Sequence, residues 1–218
     1  MIPSPYLLYL GASTDALSVK TSRGIAVWRP EQSIGEYRSP GCTVTLGLEH
    51  LDFDAAYARG ARTLVLGVAN AGGIMGPSAK QDVLAAIAAG LNVASGLHDR
   101  LHEHAELVAA AAQAGVLLFD VREPPKGLVV GNGRPRAGRR LLTVGTDCSV
   151  GKMYATLALT QGLRARGIAA DFRATGQTGI LIAGGGIPVD AVVADFISGG
   201  IERLAPAPSH TGWCMARG

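Results

Sequence analysis

Leu141-Leu142-Thr143-Val144-Gly145-Thr146-Asp147-Cys148-Ser149-Val150-Gly151-Lys152-Met153 decides how the rest of the chain is read. Residues 141–144 read as a short buried strand, and a helical pattern runs from 152 to 166. The turn between them has glycine at both ends and Lys152 directly after the second. Strand, glycine-bracketed loop, lysine and helix is the layout of a phosphate-binding loop. The first amides of a helix lack partners, and the helix dipole adds partial positive charge there. Glycine lets the backbone come close to an anion, and lysine adds a mobile cation. Two features depart from the common pattern. Five residues rather than four separate Gly145 from Gly151, and Met153 stands where a Mg²⁺-binding hydroxyl is usual. An ordinary strand–turn–helix junction with a surface lysine is the plainer alternative.

The chain of 218 residues is 48% hydrophobic but only 5% aromatic, which favours helices packed on a sheet over an aromatic-rich sandwich. A net charge of +3 argues against nucleic acid as a partner of the whole chain. Positive charge is local: Arg134, Arg136, Arg139 and Arg140 lie close together, as a solvated linker or as a wall facing an anion. Cys42, Cys148 and Cys214 are far apart and form no C-x-x-C pair, so neither a zinc site nor a disulfide framework is indicated. A cytoplasmic setting is expected. No signal peptide and no membrane span is read.

Residues 6–10 read as a first strand running into Gly11-Ala12-Ser13-Thr14-Asp15, a weak dinucleotide-type signal. Residues 20–28 read as extended, and 43–46 as another short strand. A short helix capped by Asp54 follows, then a strand at 63–68, a helix at 78–89, a strand at 91–95, a helix at 103–114 and a strand at 116–121. This alternation predicts a parallel sheet with helices on both faces, and the loops at 70–73 and 95–100 should lie on its carboxyl edge. Residues 123–140, rich in proline, glycine and basic side chains, read as a linker between a domain at 1–122 and a second at 141–218. In the second, 169–174 reads as a strand, 175–179 as a glycine-punctuated loop beside the first loop, and 189–197 as a helix. After 205 no periodicity remains, so the domain reads as incomplete.

Gly145-Thr146-Asp147-Cys148-Ser149-Val150-Gly151-Lys152 resembles the loop of dethiobiotin synthetase and related enzymes, which shares the longer spacing. The stretches 141–152, 171–182 and 189–199, with Ala94-Ser95-Gly96-Leu97-His98 and Gly67-Val68-Ala69-Asn70-Ala71-Gly72-Gly73, are similar to the DUF1611 family. That resemblance implies a Rossmann-like N-terminal domain, a P-loop-type C-terminal domain, and acetyl transfer from acetyl-CoA to the amine of a D-amino acid such as D-glutamate. It also implies a longer protein, so a truncated chain with impaired activity is expected. The expected partners are a small-molecule substrate and further copies of the chain, with neither nucleic acid nor membrane.

Coenzyme A carries phosphates that such a loop can hold, in the cradle formed by Gly145, Thr146, Cys148, Ser149, Val150, Gly151, Lys152 and Met153. Without a hydroxyl at Met153 a loop-bound Mg²⁺ loses a ligand, although Thr146 or Thr156 are available; Mg-dependent ATP use is the alternative. Acetyl transfer to an amine needs no metal, only a deprotonated amine, an oxyanion donor and correct placement. Lys152 or the loop amides are the candidate donor. Asp147 is the candidate acceptor of the amine proton, or equally an Asx-turn residue. Arg173, Thr175, Gln177 and Thr178 are candidates for holding the substrate, and Arg173 is equally a structural ion-pair residue. Cys148 reads as a small loop residue rather than a nucleophile, and His98, His102 and His104 as ordinary surface histidines.

Overall fold

A computed structural model describes residues 2–68, 71–147, 150–206 and 212–217. The chain divides into two compact units, Met1–Arg122 and Glu123–Gly218.

The first unit is a five-stranded, wholly parallel sheet in the order β2-β1-β3-β4-β5. Its strands are β1 (Tyr6–Gly11), β2 (Ser33–Arg38), β3 (Thr63–Leu66), β4 (Asn92–Ser95) and β5 (Leu118–Asp120). Its helices are α1 (Lys20–Trp28), α2 (Phe53–Ala58), α3 (Pro77–Ala88) and α4 (Ala105–Ala114). Strand side chains alternate between faces. Leu7, Tyr9, Leu64, Leu66 and Val93 join Phe53, Val83, Ile87 and Leu107 of α2, α3 and α4 in one core. None of α1's buried residues enters that core, which leaves the face of Leu8, Leu10 and Val65 for α1.

Three expectations fail in this unit. Residues 20–28 are helical, because Thr21, Gly24 and Ile25 recur at helical spacing and are buried together while Val27 is exposed. Residues 43–46 form no strand; Thr45 Oγ1 and the Leu46 amide each donate to the buried Glu36 carboxylate at 2.7 Å, which holds this stretch as a loop. The cap of α2 is Asp52, whose Oδ1 accepts the Ala55 amide at 2.7 Å; Asp54 lies inside the first turn. The two carboxyl-edge loops do meet, through the amides of His98 and Asp99, which donate to Gly73 O at 3.1 and 3.0 Å.

The second unit has a three-stranded parallel sheet in the order β6-β8-β7. It comprises β6 (Arg139–Thr143), α5 (Lys152–Ala165), β7 (Ala170–Arg173), α6 (Gln177–Ala183), α7 (Ile197–Leu204) and β8 (Trp213–Arg217). The run that lacked periodicity therefore supplies the central strand, with Cys214 and Met215 buried. Five residues cannot display a period, but a strand covered on both sides needs only to be apolar. The segment expected to be a free linker is built into this unit. The Gly131 amide donates to Ser198 Oγ at 3.0 Å, and the Asn132 and Gly133 amides donate to the Glu202 carboxylate at 3.0 and 2.9 Å. The predicted helix at 189–197 is instead two 3₁₀ turns, Val189–Ala191 and Ala194–Phe196, parted by extended backbone at Val192 and Val193. The α-helix starts only at Ile197.

Candidate functional site: the glycine-rich loop

β6 ends at Thr143, and the loop leads to α5, whose N-cap is Gly151 at φ +91°. Its glycine N-cap has no side chain to cap the helix start, and its first turn holds no acidic residue. Lys152 opens the helix, and its Nζ donates to the carbonyl oxygen of Asp147 at 2.7 Å. The ammonium therefore curls back onto its own loop, near the helix start whose first amides carry partial positive charge. Gly145, Thr146, Asp147 and Val150 are exposed. A Cβ on Gly145 would come within 2.8 Å of Val150 Cγ2 and 3.2 Å of Lys152 Cδ, so the chain turns tightly there. Cys148 and Ser149 lie outside the described residues.

Beneath the loop, two hydroxyls fix the strand to the helix. Thr143 Oγ1 and Thr156 Oγ1 are 2.6 Å apart, and both bond the Lys152 carbonyl, at 3.2 and 2.8 Å. Thr156 is fully buried, so its hydroxyl serves this lock and does not reach the loop's open side. The sequence reading missed the lock; two threonines thirteen positions apart signal nothing until strand and helix are placed. Met153 is buried and points away, with its sulfur against Gly179.

Because all three strands are parallel, the loop after β6 and the segment after β7 share one sheet edge. They are not neighbours, contrary to expectation, because β8 lies between them. At a strand spacing of about 4.8 Å the two strand ends are about 10 Å apart. Nor is 175–179 simply a loop: Gln177 and Thr178 open α6 and are half-buried, and Thr175 is buried beside them. Arg173 Nη2 donates to Asp171 Oδ2 at 3.3 Å. Asp171 also faces Arg164 at 3.8 Å, so the ion-pair alternative for Arg173 is present. His102 and His104 are each bound to a carboxylate, Asp120 and Asp99, at 2.6 and 2.8 Å. Among the described residues no cluster of potential ligands could hold a metal ion, and no helix is long and apolar enough to cross a membrane.

A Rossmann-like parallel-sheet unit followed by a unit that opens with strand, glycine-rich loop and helix defines a two-part α/β protein of the P-loop kind. Two family models agree. The Rossmann-like N-terminal domain of DUF1611, a domain of unknown function, matches residues 41–124, and its P-loop domain matches 129–215. The chain belongs to the DUF1611 family. It is 47% identical, over 100% of its own length and 66% of the relative, to a protein of Tritonibacter scottomollicae named D-glutamate N-acetyltransferase. A Pseudoalteromonas sp. protein of the same name is 46% identical, over 100% of this chain and 65% of the relative. The crystal structure of a DUF1611 family protein from Anabaena variabilis is similar at 29% identity and a TM-score of 0.81, covering 99% of this chain and 65% of that one. The chain thus spans 66% and 65% of the length of the two curated relatives.

Proposed function

We propose that this protein takes part in acetyl transfer from acetyl-CoA to the amine of a D-amino acid, D-glutamate in the first instance. The observation that carries the reading is the shared name of two relatives that match the whole chain at 47% and 46% identity.

The loop's chemistry is compatible with the coenzyme's phosphates. An uncapped helix start, a left-handed glycine and a lysine within the same turn suit a phosphate oxygen. Bound there, acetyl-CoA supplies the thioester that the amine attacks. In this reading Lys152 leaves the Asp147 carbonyl for a phosphate or for the developing oxyanion, and the loop amides hold the rest of the charge. Asp147, exposed at the loop, accepts the amine proton. Arg173, Gln177 and Thr178, on the same sheet edge, orient the acceptor's carboxylates, whereas Thr175 is buried beside them and does not reach the acceptor. Two observations favour holding phosphate over transferring it. Met153 brings no hydroxyl to the position that usually ligates Mg²⁺, and Thr156 is committed to Thr143 and the Lys152 carbonyl.

The test is release of free thiol from acetyl-CoA in the presence of D-glutamate, without ATP or added metal. Thiol is expected to appear with D-glutamate and to stay at the no-acceptor rate with L-glutamate. Release at the no-protein rate, by this chain and by the Tritonibacter relative alike, overturns the reading.

A further inference from the structure

The two threonines beneath the glycine-rich loop do more than pack β6 against α5. Two hydroxyls carry two protons. With Thr143 Oγ1 and Thr156 Oγ1 2.6 Å apart, one proton lies between them. The other is left for the Lys152 carbonyl, which is 2.8 Å from Thr156 Oγ1 and 3.2 Å from Thr143 Oγ1. Either sense of donation ends on that carbonyl. Thr143 Oγ1 also lies 3.5 Å from the Ala216 carbonyl of β8, so the pair sits where two strands and the helix meet. Thr156 is fully buried, so solvent does not compete for its bonds.

What these bonds fix is a peptide plane. The Lys152 carbonyl and the Met153 amide belong to one planar trans unit and point in opposite directions. Pinning the oxygen from beneath aims the amide at the loop. That amide is among the first of α5, which have no partner within the helix. The Cα of Lys152 lies in the same plane, so the root of its side chain is held as well. A helix end otherwise frays, and α5 starts from Gly151, which has no side chain to cap it. The hydroxyl pair steadies from below a helix start that nothing steadies through its cap.

A third threonine shows what is particular to this pair. Thr160, also buried, donates to the Thr156 carbonyl at 2.7 Å. Thr156 to Lys152 and Thr160 to Thr156 are the same local bond, four residues back along the helix. Among the described residues only Thr156 of the two is also joined to a strand hydroxyl, and only its bond ends on the residue that opens α5.

We infer that Thr143 and Thr156 are positioning residues for the anion site: they hold the Lys152–Met153 peptide so that the Met153 amide and the Lys152 side chain are set toward a phosphate before it arrives. This role rests on the phosphate reading of the loop and deepens it. The experiment is titration calorimetry of the full chain with coenzyme A and with inorganic pyrophosphate, in chelator. Hydrogen exchange without ligand is followed beside it at the Ala155 amide, which donates to the Gly151 carbonyl at 3.0 Å in the first turn. Valine keeps the shape of threonine and drops the hydroxyl. Thr143→Val and Thr156→Val together weaken binding of both probes about tenfold or more, each alone about threefold, and the two serine substitutions together by no more than about twofold, on the scale of one or two hydrogen bonds. The Ala155 amide exchanges faster in the valine variants and not in the serine ones. Thr160→Val lowers the thermal midpoint but leaves binding and Ala155 exchange as they were, whereas a merely structural role would move all three alike. If the double valine variant does not fold, the single variants at Thr143 decide the matter. The role is overturned if the valine variants bind like the original chain, if serine does not rescue, or if Thr160→Val weakens binding as much. If the original chain binds neither probe, the phosphate reading itself falls and takes the role with it.

Discussion

A Cβ on Gly145 would lie 2.8 Å from Val150 Cγ2, whereas a Cβ on Gly151 would meet nothing within 4 Å; Gly151 instead sits at φ +91°. The first glycine is required by contact and the second by backbone conformation. A left-handed conformation costs an ordinary L-residue roughly 1–2 kcal/mol. Gly151→Ala should therefore destabilise the second unit by about 1 kcal/mol, and Gly151→Asn by less. Urea unfolding in a Trp28→Phe background checks this, because Trp213 on β8 then reports the second unit alone. A stabilised Gly151→Ala variant would show that this φ is not held in solution. These residues were legible in the sequence because glycine and lysine carry their meaning in their spacing. Thr143 and Thr156 were not, because their 2.6 Å contact exists only once β6 and α5 are packed. Met153 was legible as a missing hydroxyl, but its burial against Gly179 was not.

Elements buried on both faces announced themselves. β3 and β4 are short apolar runs, and sequence and structure agree on them within a residue or two. β2 escaped because it carries Glu36, which is fully buried yet satisfied by Thr45, Leu46 and Arg38. Arginine and proline disguised residues 123–140 as solvated linker, although Arg136 Nη1 donates to the carbonyls of Glu202 and Ala205 at 3.0 and 2.7 Å. That strap crosses α7 at Gly199, where a Cβ would fall on the Val129 carbonyl oxygen. Glu202 fastens it. The Asn132 and Gly133 amides, then nearby Arg136, hold the Glu202 carboxyl below its ordinary value. A depressed folded pKa means that the latch contributes fully above the unfolded glutamate pKa and is lost as pH falls through the lower, folded one. Hydrogen exchange at the Asn132 and Gly133 amides should accordingly lose protection on acidification, after correction for the intrinsic rate. In Glu202→Gln that acid-induced step should vanish; its persistence would assign the latch to another group.

At the scale of the whole molecule, strand–helix alternation fixed the class of the first unit, and one loop fixed the class of the second. The order of strands within each sheet was not legible. Nothing in residues 213–217 says that they insert between β6 and β7, and that insertion keeps the two loops a strand apart. The family is carried by long matched stretches in both units, at residues 41–124 and 129–215. The account turns on whether the glycine-rich loop holds the phosphates of a coenzyme without a metal. Calorimetric titration of the chain with coenzyme A, in chelator and without ATP, tests this most directly. A charge-assisted contact contributes about 1.5–3 kcal/mol, so Lys152→Ala should weaken binding about tenfold or more. Binding that is absent without Mg²⁺, or equally tight with and without the Lys152 side chain, would contradict the account.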